Sequence, residues 1–249
     1  MEFGTAICYV LSLSEIPRKF DFNKGTGTIE LSVDTSTRYA GVALSLNGDI
    51  IMEISWHSPR NHTIELVPAI QTLLKQSNST VSDLDAIFVS NGPGGFSSLR
   101  VGMGAAKGLA EALDIPLYGI RTLEVEAFPY SQTGNMICPI LSMGRGEFAW
   151  ALFQQKDEVW SCLKDEEIGS PESIFSQLPT NVLVCGEPVF GSMDILGDFM
   201  TTQVSLMPVP PPTRRTSTLA YLGFLRYSNG IRPNRSTLQP LYLRSPSIN

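Results

Sequence analysis

The sequence predicts an α/β protein of two lobes, each a mixed β-sheet with flanking helices. Three observations lead there. Alternating apolar and polar residues on both sides of Asn47-Gly48-Asp49 mark a β-hairpin. A strand, a glycine-rich turn and a long small-residue helix follow between Ala86 and Leu113. The same order of elements returns, more weakly, between Met136 and Met207.

Composition sets the outer bounds. The chain has 249 residues, 43% hydrophobic and 17% charged, as suits a soluble globular protein with a core that needs no disulfides or metals. The formal net charge of −6 supplies no global basic field for nucleic acid. Four cysteines, Cys8, Cys138, Cys162 and Cys185, are widely spaced and read as buried thiols in a reducing, cytoplasmic compartment. No apolar run reaches the length of a membrane span, so no membrane partner is expected. Residues 1–27 are set aside as an N-terminal extension or expression leader, with lobes expected over 28–128 and 129–249.

In the first lobe, Ile29-Glu30-Leu31-Ser32-Val33 alternates as a half-buried strand does. Asp34-Thr35-Ser36-Thr37 makes a polar turn, Ala40 to Leu46 forms a second strand and Ile50 to Ile54 a third. An antiparallel meander with an acidic residue in its first turn results. Ile64, Val67, Ile70, Leu73 and Leu74 then recur at helical spacing, with Asn61 or Thr63 as N-cap. Pro68 removes an N–H, so the regular helix is expected to start late or bend there. Ser82 to Asp85 forms a short turn before the strand Ala86 to Val89. A helix from Ser98 to Leu113 and a strand from Ile115 to Ile120, parallel to the previous one, complete the order β-β-β-α-β-α-β.

The turn itself, Gly92-Pro93-Gly94-Gly95, places three glycines and a proline in four positions. Its backbone N–H groups, backed by a helix N-terminus, suit an anion; a tight strand-to-helix connection without a ligand explains the same residues. In the helix that follows, Gly102, Gly104, Ala106, Gly108 and Ala112 form small-residue rows. Interior glycines cost a helix about 1 kcal/mol each relative to alanine, which argues for a close contact. That contact is either the lobe's own sheet or a partner helix.

The second half has strands at Met136 to Leu141, Glu147 to Phe153, Glu158 to Leu163, Asn181 to Cys185 and Gln203 to Met207. Ser170-Pro171 opens a helix with a cap and a proline at the first position. Pro208 to Pro212 is a linker into a last helix, Thr216 to Tyr227, assigned to the second lobe. Two lobes of this order are the architecture of the actin/hexokinase/Hsp70-like (ASKHA) group, whose first hairpin turn and later glycine turns face a cleft between lobes.

The chemistry-bearing residues are few. His57 and His62 are separated by Pro59 and do not share a helical face, so no metal site is expected. No Gly-x-Ser-x-Gly elbow or Walker loop occurs, and no catalytic residue is assigned. Asp34 could organise a metal-bound nucleotide or close an Asx turn on its own backbone. Arg100 could hold a carboxylate or phosphate, or pair with Glu111 or Asp114. Phe96 is either a plug into the core or an interface anchor. The only basic stretch, Arg214-Arg215 and Arg226 to Arg235, is a minor candidate for nucleic-acid contact.

Over residues 28 to 244 the chain resembles the TsaB (YeaZ) family of the bacterial tRNA threonylcarbamoyladenosine machinery. The matching pieces are Val33-Asp34-Thr35-Ser36-Thr37, Arg60-Asn61-His62-Thr63, Asp83-Leu84-Asp85-Ala86-Ile87, Gly92 to Gly102 with Gly108-Leu109-Ala110, and Pro240-Leu241-Tyr242-Leu243-Arg244. Two departures stand out. Gly95-Phe96-Ser97-Ser98 replaces the usual Ser-Phe-Thr-Gly, and Ser142-Met143-Gly144 replaces an Asp-Ala-Arg before the second-lobe turn.

The resemblance implies a non-catalytic subunit that pairs with a TsaD-like catalytic subunit, is joined by a TsaE-like ATPase, and forms a homodimer when alone. tRNA contact would be indirect. The pairing face would come from the two first-lobe helices, through Ile64, Val67 and Leu74 on one, and Phe96, Leu99, Gly102, Ala105, Ala106 and Leu109 on the other. No cofactor would be tightly bound; ATP or ADP would sit at the partner interface near Asp34, Thr35, Gly92, Gly94, Gly95 and Arg100. The alternative is an independent ATP-dependent hydrolase or kinase of the same fold.

Overall fold

The computed structural model describes residues 11–12, 27–231, 233 and 235–244, which divide into two compact lobes. The first holds the described residues of 27–125 and 214–244, the second those of 11–12 and 126–213. Apart from Leu11–Ser12 and Gly27, the segment read as a leader lies outside the described residues. Leu11–Ser12 forms a short strand, β1.

In the first lobe, β2 (Ile29–Asp34), β3 (Tyr39–Leu46) and β4 (Asp49–His57) make the expected meander, with Val33 opposite Val42 and Asp34 opposite Gly41. Asn47 and Gly48 both take positive φ, 52° and 81°, as a two-residue hairpin turn requires. Helix α1 (His62–Gln76) runs unbroken through Pro68. The expected late start is absent for a physical reason. The carbonyl that loses its partner belongs to Ile64, a residue 71% exposed, so solvent can stand in for the missing N–H. Asn61 occupies the cap position without a side-chain cap bond.

Strand β5 (Ala86–Gly92) extends three residues past the expected end and runs parallel to β2. Helix α2 (Phe96–Leu113) ends on Asp114 in the left-handed region, and β6 (Leu117–Arg121) pairs parallel to β5. The sheet order is β4-β3-β2-β5-β6. Strand alternation separates its two faces. Leu31, Val33, Ile87 and Val89 pack in one cluster with Leu66, Leu73, Met103 and Ala106 from α1 and α2. Phe88 faces the other way.

After a short helix α3 (Thr122–Ala127), the second lobe repeats the pattern: β7 (Met136–Gly144), β8 (Glu147–Lys156), β9 (Val159–Gly169), helix α4 (Pro171–Phe175), β10 (Val182–Cys185) and β11 (Val204–Leu206). Its order, β1-β9-β8-β7-β10-β11, reproduces that of the first sheet with β1 added at the edge. This duplicated topology is the ASKHA-like fold class read from the sequence. The Ser170 cap forms as expected, its hydroxyl accepting from the Ser173 N–H at 3.3 Å.

The last helix, α7 (Thr216–Ser228), corrects the expected domain boundary: it belongs to the first lobe. Gly223 lies against Phe88 so closely that a Cβ would fall 2.2 Å from the ring. Thus α1 and α2 cover one face of the first sheet and α7 covers the other. Two buried ion pairs fasten this C-terminal segment, Arg214 to Asp34 and Arg226 to Glu124. On the α7 side of the sheet, Glu30 is fully buried, with one carboxylate oxygen bonded to Ser45 and the Gly48 N–H. Burial pushes its carboxyl up to about 7.

Candidate functional site

The glycine turn is locked by backbone on two sides. A Cβ on Gly92, whose φ is 117°, would lie 2.7 Å from the Leu241 carbonyl oxygen. One on Gly94 would lie 2.3 Å from that of Ser36. The Gly95 N–H donates to the Ser36 carbonyl at 2.8 Å and is engaged within the lobe rather than open to an anion.

Asp34 closes the Asx turn, one oxygen accepting from the Ser36 N–H at 2.8 Å and from its hydroxyl at 2.6 Å. Its other oxygen accepts from Arg214 Nε at 3.3 Å, and Arg214 also donates to the Thr37 hydroxyl at 2.7 Å. Thr35 is used in a way its sequence context does not announce. Its hydroxyl donates to the Ser98 carbonyl at 2.7 Å and accepts from the Gly102 N–H at 3.1 Å. It therefore bridges the two groups that an α-helix normally bonds to each other. Gly102 permits the approach, since a Cβ there would lie 2.3 Å from Thr35 Oγ1.

Arg100 pairs with neither Glu111 nor Asp114, which instead hold Arg235 at 3.3 and 3.1 Å. Its guanidinium lies 3.7 Å over the Phe96 ring, and its Nε donates to the Tyr242 hydroxyl at 3.1 Å. The Phe96 and Tyr242 rings are 4.8 Å apart. Phe96 is thus half-buried between Arg100 and Tyr242 rather than plugged into the core. So Asp34, Thr35, Gly92, Gly94, Gly95 and Arg100 all make contacts inside the lobe.

The expected pairing residues split into two sets. Leu74, Leu99, Gly102 and Ala106 are buried in the lobe, and Ala105 and Leu109 are half-buried against its core. Their helical spacing marks the face that meets the sheet. The outward face carries Ile64 and Val67, 71% and 52% exposed, on α1. On α2 it carries Gly104 and Gly108, where an added Cβ would meet nothing within 4 Å among the described residues. Since α1 packs on α2, these form one layer over the sheet.

Beside that layer opens a cleft of about 570 Å³. It is lined by Thr37 and Arg38 from the first turn, Arg60 and His62 at the start of α1, and Phe96 and Ser97 at the start of α2. Both arginines are exposed, and both helices point their positive ends toward it. His62 is buried with Nε2 2.9 Å from the Thr37 carbonyl, whereas the His57 ring packs on Tyr39, so the two histidines serve different contacts. Sequence reasoning missed Arg38 and Arg60 as a pair, because 22 positions separate them and only the fold brings them to one cleft.

A family model described as TsaD, tRNA N6-adenosine threonylcarbamoyltransferase, matches residues 55–183. The tRNA threonylcarbamoyladenosine biosynthesis protein TsaB of Bacillus subtilis (strain 168) is 28% identical over 196 residues, covering 78% of this chain and 86% of that one. TsaB of Escherichia coli (strain K12) is 29% identical over 151 residues, covering 59% and 65%. The solved structure of YeaZ from Pseudomonas aeruginosa has a TM-score of 0.70 at 23% identity, covering 87% of this chain and all of that one.

Proposed function

The chain belongs to the tRNA N6-adenosine threonylcarbamoyltransferase family, in its TsaB/YeaZ group, and on that premise we propose that it serves as the partner subunit of a TsaD-like catalytic subunit in tRNA threonylcarbamoyladenosine formation. One observation carries the reading: the outward face of the α1–α2 layer. Gly104 and Gly108 each cost α2 about 1 kcal/mol relative to alanine. Unlike Gly102, neither has a close neighbour among the described residues to require it. Ile64 and Val67 stand in solvent on α1, which packs on α2. A partner helix laid on this layer would use both features, bringing its backbone close at the glycines and burying the apolar side chains.

A TsaE-like ATPase would join that complex, and in the absence of the catalytic subunit the same face would pair two copies of this chain. The net charge of −6 supports indirect contact with tRNA. ATP or ADP would sit at the boundary with the partner rather than be tightly held by this chain; the exposed Arg38 and Arg60 lining the cleft beside the helix layer support phosphate contact there. The cytoplasm, where tRNA is modified, is the proposed location. An independent ATP-dependent hydrolase or kinase would need Asp34 to organise a metal-bound nucleotide, and Asp34 is instead bonded to Ser36 and Arg214.

Reconstitution tests the proposal. Threonylcarbamoyl transfer to tRNA is measured with the cognate TsaD-like and TsaE-like subunits, with and without this chain. The proposal expects transfer to depend on it; equal transfer without it refutes the partner role.

A further inference from the structure

The second lobe carries a surface that pairing through α1 and α2 leaves unexplained. Between β10 and β11 it has two single-turn helices, α5 (Glu187–Gly191) and α6 (Met193–Leu196), and a 3-10 turn at Gly197–Phe199. The two helices are pinned by Val189 and Leu196, which are fully buried in the lobe's core. Phe199 stacks on Phe175 at 4.6 Å and braces the turn. On this fixed base, Phe190, Ile195 and Met200 are 50%, 52% and 50% exposed, with Met193 at 36%. Of the ten large apolar side chains exposed among the described residues, these four lie within one short stretch whose elements pack on each other. Scattered exposed apolar residues need no explanation, but a cluster marks an interaction surface.

The segment that builds the cluster carries charge of one sign. From Gly186 to Pro212 its charged residues are Glu187, Asp194 and Asp198, with no Lys, Arg or His. Asp194 and Asp198 stand exposed within the apolar cluster itself. We infer that this surface docks a basic protein segment that presents an apolar face. The acidic groups repel phosphates, which disfavours nucleic acid and anionic lipid. A second copy would set acid against acid. A neutral apolar partner would cover Asp194 and Asp198 without supplying a counter-charge, at a desolvation cost. A cationic amphipathic segment satisfies both features together. The inference is independent of the pairing role of the first lobe, because it rests on different residues in the other lobe.

The test is fluorescence anisotropy of a labelled amphipathic Leu/Lys helical peptide with the full chain. Two control peptides of equal length are used, an amphipathic Leu/Glu helix and a basic but non-amphipathic Ser/Lys sequence. The expected result is saturable binding of the Leu/Lys peptide alone, weakened by salt. Phe190→Ser combined with Ile195→Ser should weaken it about tenfold, the range of an interface anchor. Asp194→Asn combined with Asp198→Asn should weaken it several-fold at low salt and less at high salt. Unchanged circular dichroism in both variants keeps the reading on binding, since all four side chains are exposed. Equal affinity of the variants and the parent, or equal binding of the Ser/Lys peptide, overturns the inference. So does binding to phosphatidylcholine vesicles, or self-association in sedimentation, that the Phe190→Ser, Ile195→Ser variant abolishes.

Discussion

Replacing Glu30 with Gln should make the protein more stable at pH 8 than the parent, with the advantage shrinking as pH falls. Glu30 is 0% exposed beneath α7, and one of its oxygens has no hydrogen-bond partner among the described residues. Burial, opposed by hydrogen bonds from Ser45, Gly48 and Asn47 and reinforced by nearby Asp85, raises its carboxyl from 4.5 to about 7. The folded protein therefore binds more protons here than the unfolded chain between these values. A raised acid contributes stability that is fully present below pH 4.5 and lost as pH rises through about 7. At about 1.4 kcal/mol per tenfold change in proton affinity, the loss amounts to about 3 kcal/mol. Gln keeps an oxygen for the Ser45 and Gly48 donors and carries no charge at any pH. Urea denaturation of both proteins at several pH values from 5 to 8 measures the difference. The stability of Glu30→Gln relative to the parent should climb through that range and level off above pH 7. A difference that stays constant from pH 5 to 8 would refute the assignment of Glu30 as a buried, proton-binding acid.

Three further outcomes follow from the same contacts. Gly102→Val should cost about 1–3 kcal/mol in chemical denaturation, because its side chain would displace the Thr35 hydroxyl from between Ser98 and residue 102. Arg214→Met should cost about 3–5 kcal/mol by leaving Asp34 buried without its partner, and Arg214→Met in an Asp34→Asn background should cost clearly less. Ala106→Glu should lower the melting temperature sharply instead of merely blocking pairing, since Ala106 is 0% exposed and an unpaired carboxylate cannot be buried there without large cost; a variant with the parent's melting temperature would contradict its placement.

The elements of both lobes were legible because alternation and turn chemistry act locally. Asn47-Gly48 announces its hairpin, and Ser170-Pro171 its helix start, through backbone preferences that need no tertiary context. The partner face was less legible for a definite reason. Helical apolar spacing reports the side that meets the core, so it selected Leu74, Leu99 and Ala106, which are buried. The outward residues Gly104 and Gly108 look in sequence like Gly102, although Gly102 admits Thr35 and the other two face open space. Pro68 suggested a late start, but the carbonyl it deprives of an N–H belongs to the exposed Ile64, so the helix loses little by beginning at His62. Contacts such as Arg214 with Asp34, 180 positions apart, leave no local trace, and neither does the assignment of α7 to the first lobe. The cysteines were read correctly in part: Cys138 and Cys185 are buried free thiols, Cys162 is only half-buried, and Cys8 lies outside the described residues.

The outward face of α1 and α2 bears the central claim, and a titration of this chain against the cognate TsaD-like subunit by isothermal calorimetry tests it most directly. Ile64→Glu and Gly108→Glu are introduced separately, with circular dichroism to verify the fold. Both positions are exposed, so neither variant should unfold the lobe. The account predicts that each weakens pairing by about a hundredfold, as a charge buried in an apolar helix contact does. Parent-like affinity in both variants would contradict it.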